Sequence, residues 1–142
     1  MGRKQRAATY EDYDITPERK KELMFFCKQY QQMKSRISYS ITRGGLDGMP
    51  RGYGVSDPTA NKAIKNAALM NRCTIIEKAA QRTTQGQPPE VYNALMQNVT
   101  QGTAFIYLTA PVSDADFYAM RRLFYALLDE ALTDAFSQIR TA

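Results

Sequence analysis

The side chains able to do chemistry in this chain are cations and tyrosines at helical spacing, with no histidine beside them. Lys20, Lys21, Lys28, Lys62, Lys65 and Arg72 fall on two predicted helices. A surface of this kind tracks a phosphate backbone, each contact adding salt-sensitive and sequence-blind affinity. The same residues also read as an ordinary solvated face. Between the two helices, Arg43, Arg51 and Tyr53 stand among glycines that permit close backbone approach, as a minor groove or a single-stranded base requires. That stretch reads equally as a plain connector. It is not a P-loop, because no strand precedes it and the Gly-Lys-Ser/Thr ending is absent. No acid pair or nucleophile–base pair accompanies these residues, so catalysis is not expected. Cys27 and Cys73 without histidine cannot close a tetrahedral zinc site. They read as buried free thiols, and no metal or cofactor is expected.

The net charge of +5 is unevenly spread. Residues 16–42 carry six positive and two negative charges, and residues 58–84 carry five against one. Residues 85–142 hold three positive charges against six acids. The basic surface thus belongs to the middle of the chain and the C-terminal third is acidic, an asymmetry that bears on partners rather than on fold. No apolar run approaches the length of a membrane span, and no apolar stretch follows Met1-Gly-Arg-Lys-Gln-Arg, so neither a membrane helix nor a secretory leader is expected. A cytoplasmic location is the corresponding expectation.

The elements that must position these residues are helices. Residues 1–15 read as a disordered arm, basic and then acidic, without apolar period. Thr16-Pro17-Glu18 predicts a helix start, and Leu23, Phe26, Cys27, Tyr30, Met33 and Ile37 predict one buried face to about Tyr39. A glycine-rich loop over 43–57 ends at the Ser56-Asp57-Pro58 start signal. The next helix carries Ile64, Ala68, Leu69, Met70, Cys73, Ile76 and Ala80 to about Thr83. Two helices joined by one loop predict a long antiparallel hairpin over 16–84. Beyond Gln85-Gly-Gln-Pro-Pro, a third helix starts at Glu90, Gly102 ends it, and Thr103 to Thr109 form one more short helix. After the Ala110-Pro111-Val112 turn, Ser113 caps a last helix with Asp116 as its acidic capping-box partner. Phe117, Met120, Phe124, Leu127, Leu128, Ala131 and Ala135 form its apolar stripe, while Tyr118, Arg122 and Tyr125 project away and Arg121 borders it. No period-two pattern predicts a strand. The expected fold is all-α, a helical hairpin followed by a helix-turn-helix-like subdomain over 85–142.

The segment Val91 to Leu132 resembles a sigma-factor region-4-type helix-turn-helix, as in small phage or prophage late-gene transcription regulators of the RinA-like and ArpU-like kind. The resemblance is carried by the short helix through Leu95 and Met96, the Gly102 bend, the Pro111-Val-Ser113 turn and the Phe117-Tyr118-x-x-Arg121-Arg122-x-Phe124 pattern. The upstream Gly48-Met-Pro-Arg-Gly-Tyr-Gly-Val-Ser56-Asp57 loop is similar to that group as well. The resemblance implies that the last helix enters the major groove, with Ala115, Tyr118, Arg121 and Arg122 facing the duplex and Ser113 on a phosphate. Asp114 and Asp116 stand where such regulators place basic or neutral polar residues.

The expectation is a phage DNA-binding transcription regulator of the bacterial cytoplasm, homo-oligomeric, holding duplex DNA through the helix-turn-helix and the basic helices. The acidic C-terminal third keeps a second reading open. In that reading the element is a protein–protein surface that binds and modulates a host or phage nucleoprotein enzyme such as RNA polymerase. A helical DNA-packaging subunit is a third, which a ring assembly would favour.

Overall fold

The computed structural model describes residues 8–37 and 56–141, with side chains over 8–37 and 61–135. Among these residues the chain is helical throughout and has no strand. Helix α1, Pro17–Lys28, begins as its cap dictates: Thr16 Oγ1 accepts from the Arg19 N–H at 3.1 Å, and Pro17 occupies the first turn where its missing N–H costs nothing. The Gln29 N–H then donates to Phe26 O at 3.3 Å, a tight turn after which residues 30–37 resume as α2. The single helix expected to about Tyr39 is thus two segments. Of its predicted apolar face, Leu23, Cys27, Met33 and Ile37 are buried, while Phe26 and Tyr30 are only partly so.

Helix α3, Ser56–Thr83, is long but has two unlike halves. Cys73, Ile76 and Ala80 are buried, as the apolar spacing predicts for its second half, and Ala79 is buried with them. The first half departs from expectation: Ile64 is 66% exposed, Met70 50%, and Ala68 is also exposed. From Asn61 to Arg72 only Asn66 and Leu69 are even half-buried. Helix α4, Pro89–Gln101, ends at Gly102, whose φ of 76° is a left-handed C-cap and whose N–H reaches Asn98 O at 2.9 Å.

The short helix expected over Thr103–Thr109 is a single 3-10 turn, Phe105–Tyr107. Phe105 stacks on Phe117 at 4.6 Å and anchors the turn. Ile106 and Tyr107 face solvent, each 81% exposed. Of the two short helices expected before the Ala110-Pro111-Val112 turn, the first is α4 and the second is reduced to one 3-10 turn in an otherwise irregular linker. Helix α5, Asp114–Thr141, starts where Ser113 Oγ accepts the Asp116 N–H at 3.1 Å, as the capping pattern predicts. Its apolar stripe is as expected at Phe117, Phe124 and Leu128, but Tyr125 is 3% exposed rather than projecting outward. Its ring tilts against Tyr10, 6.4 Å away.

One apolar cluster joins both halves of the chain, from Ile15, Leu23 and Cys27 through Ile76 and Ala80 to Leu95, Phe124 and Leu128. Among the described residues the broadest helix packing is α3 on α5, and α1 meets α4 and α5. Helix α2 touches α3 at Glu77, which receives the Tyr30 hydroxyl and the Lys34 ammonium, the latter at 3.2 Å; the loop expected to join the two helices into a hairpin lies outside the described residues. Arg19 Nε ties α1 to α5 through Asp129 Oδ1 at 2.6 Å. Residues 8–15, expected to be a disordered arm, are folded. Thr9 and Asp12 exchange side-chain-to-backbone hydrogen bonds, the Ile15 N–H donates to Tyr10 O at 2.9 Å, and Ile15 is buried at 3% exposure.

Candidate nucleic-acid interface

A helix presents one side every three or four residues, so Lys62, Lys65, Leu69, Arg72 and Ile76 lie along a single stripe of α3. Ile76 is buried in the core, Leu69 is half-buried at its edge, and Lys65 and Lys62 continue the line into solvent. Exposed Arg72 lies on the same line between Ile76 and Leu69. Lys62, Lys65 and Arg72 are all exposed, and no acid occurs between Pro58 and Ile76 to neutralise them. The other side of this half-helix, Ala63, Ile64, Ala67 and Met70, is exposed and uncharged.

On α1, Lys28 is exposed with its ammonium 6.0 Å from the Phe25 ring. Lys20 is half-buried, its Nζ 4.5 Å above the Tyr10 ring. Arg43 and Arg51 lie outside the described residues.

The expected contact face of α5 is placed differently from what the resemblance implies. Ser113 and Ala115 are exposed at the helix start, with Asp114 and Asp116 exposed beside them. Beyond them, no residue from Phe117 to Asp129 is exposed. Tyr118 packs edge-on against Phe117 and Phe105. Arg121 lies 4.7 Å over the Tyr118 ring and donates from Nη1 to Asn98 Oδ1 at 3.3 Å. Arg122 donates from Nε to the Ala8 carbonyl at 2.8 Å. The pair faces the protein's own N-terminal turn and α4 rather than open solvent. The structure groups Lys62, Lys65 and Arg72 on one stripe, and it groups Lys20, Arg121 and Arg122 separately around Tyr10.

Burial raises the Tyr10 phenol above its ordinary value, and the Arg121 and Arg122 charges partly offset that. Buried Tyr10 Oη and Arg121 Nε complete no hydrogen bond of good geometry. Sequence reading missed Ala8, Tyr10 and Asn98. The spacing of Tyr10, Tyr13 and Ile15 immediately before a helix cap was the available signal for a docked turn.

A groove of about 330 Å³ between α2 and α4 is lined by uncharged groups, among them Tyr30, Tyr92, Asn93 and Gln97. Among the described residues no group of three His, Cys, Asp or Glu side chains could hold a metal ion, and no helix is long and apolar enough to cross a membrane. Cys27 and Cys73 are free and buried, and burial pushes both thiols up. Compared with protein-family models, curated proteins and solved structures, the chain matches none.

Proposed function

We propose that this chain is a non-catalytic DNA-binding regulator of transcription, of the phage or prophage kind it resembles, acting in the bacterial cytoplasm. Its principal contact with duplex DNA is the cationic stripe of α3, with Lys28 and the neighbouring α1 lysines adding phosphate contacts. The observation that carries the reading is the projecting half of α3, where Lys62, Lys65 and Arg72 are exposed and no acid intervenes between Pro58 and Ile76. Such a surface supplies the sequence-independent part of DNA affinity. Base reading by a helix-turn-helix is left to the exposed start of α5, Ser113 and Ala115. A second copy docked on the uncharged Ala63, Ile64 and Ala67 side would align two such stripes on one duplex.

Fluorescence anisotropy with random-sequence duplex DNA across a salt series tests this. Lys62→Ala/Lys65→Ala/Arg72→Ala should weaken binding and reduce the log–log salt slope by about 3, because each cation removed leaves one phosphate with its counterion. An unchanged slope in the triple variant removes α3 from the interface. Absence of binding at low salt favours the second reading, a protein that occupies a nucleoprotein enzyme. Ile106 and Tyr107, displayed on the 3-10 turn, are the observation on its side.

A further inference from the structure

Among the described residues, Lys20, Arg121 and Arg122 are three cations with no carboxylate partner. Their partners are neutral: the Tyr10 ring for Lys20, the Asn98 amide and Tyr118 ring for Arg121, and the Ala8 carbonyl for Arg122. The α5 carboxylate of Asp129 is engaged by Arg19 instead. Neutral acceptors orient a guanidinium but leave its charge uncancelled, so the cluster keeps a positive field.

The segment lying across this cluster is acidic. Residues 8–14 contain Glu11, Asp12 and Asp14 and no basic residue, and all three acids stand on the exposed side of the turn. The turn is fastened at both ends, by Ala8 O on Arg122 and by buried Ile15, with Tyr10 wedged between Lys20 and Tyr125. The turn lies against these cations through the Ala8 carbonyl and the Tyr10 ring, and its carboxylates add negative charge on the exposed side.

We infer that Lys20, Arg121 and Arg122 form a second polyanion-binding surface of this protein, covered by its own acidic turn of residues 8–14, which competes with the DNA backbone for it. The inference rests on the DNA-binding reading and adds regulation to it. The α3 stripe is open at all times, and the α5 arginines engage only when the turn is displaced. Covering α5 in this way limits non-specific binding, since every added phosphate contact multiplies affinity for any sequence.

Two variants test it, each checked by circular dichroism and melting. Glu11→Gln/Asp14→Asn lowers the acidity of the turn without touching its Thr9–Asp12 hydrogen bonds, and Tyr10→Ala removes the wedge. Both should bind random duplex DNA more tightly than the parent, and Tyr10→Ala should steepen the salt slope by about 2, for two freed arginines. Adding Arg121→Ala/Arg122→Ala should abolish these gains, yet have little effect on affinity in the parent. Gains that survive loss of the arginines overturn the inference, as does the absence of any gain. Failure of the DNA reading is separable, because it appears as no parental binding at low salt. In that case, phenylglyoxal modification read by mass spectrometry decides: faster labelling of Arg121 and Arg122 in Tyr10→Ala supports the cover, and equal rates refute it.

Discussion

Arg121 holds its place through an amide and an aromatic face, while the nearby Tyr10 hydroxyl is buried without a well-formed hydrogen bond. Such polar atoms tolerate little further charge, and the phenols around them follow that rule. Burial raises Tyr10, Tyr30, Tyr92 and Tyr125 above their ordinary 10.0, and it raises the Cys27 and Cys73 thiols above 9.0. The folded chain therefore holds these protons at pH values where the unfolded chain has released them. Since stability rises with pH only where the unfolded state binds more protons, the sign here is negative. The contribution is fully present below pH 9 and is lost as pH climbs through 9 and then 10. Urea midpoints measured from about pH 8 to about pH 11 should fall steadily. Tyr125→Phe should flatten the upper part of that fall by removing one of the buried phenols, and an identical profile would place the titration elsewhere.

At the scale of elements, capping and periodicity explain most boundaries, and neighbours explain the rest. Thr16 caps α1, and through it sets the direction in which Leu23 and Cys27 enter the core. Thr16→Ala should cost about 1 kcal/mol, while Thr16→Asn should retain most of that, as judged by urea denaturation. Equal losses in both would mean that the hydroxyl acts through something other than the Arg19 N–H. Helix α3 shows the limit of periodicity. Ile64 and Met70 repeat at helical spacing as Cys73 and Ile76 do, yet only the latter pair is buried. An apolar residue on a helix is a request for a partner, and α5 and α4, the helices that pack on α3, supply one to Cys73 and Ile76 but not to Ile64 and Met70.

The whole molecule rests on one cluster to which every described helix contributes. Phe124 is fully buried at its centre. Truncating such a ring costs about 3–5 kcal/mol, a large share of the roughly 5–15 kcal/mol by which domains are stable. Phe124→Ala should therefore lower the melting temperature sharply or prevent folding. Ile64→Ser, on the projecting half of α3, should change stability by less than about 0.5 kcal/mol. Similar losses for the two would mean that Ile64 is covered in solution, as by a second copy. The charge map belongs to this scale as well: a basic middle and an acidic C-terminal third are separate in the sequence, and folding brings Lys20 of the one beside Arg121 and Arg122 of the other around Tyr10.

The residue order alone determines the all-helical class, the starts of α1 and α5 at Thr16 and Ser113, and the Gly102 stop, because caps and left-handed glycines act on backbone groups within a few positions. It also determines that the middle of the chain is basic. Tertiary structure alone decides that the Phe105 segment is one 3-10 turn, that Tyr125 is buried, and that α3 is largely exposed from Asn61 to Arg72. It also decides that Arg122 meets Ala8, 114 residues away in the chain. Those outcomes depend on which surfaces meet across the fold, and no local spacing of residues encodes a contact between segments so distant.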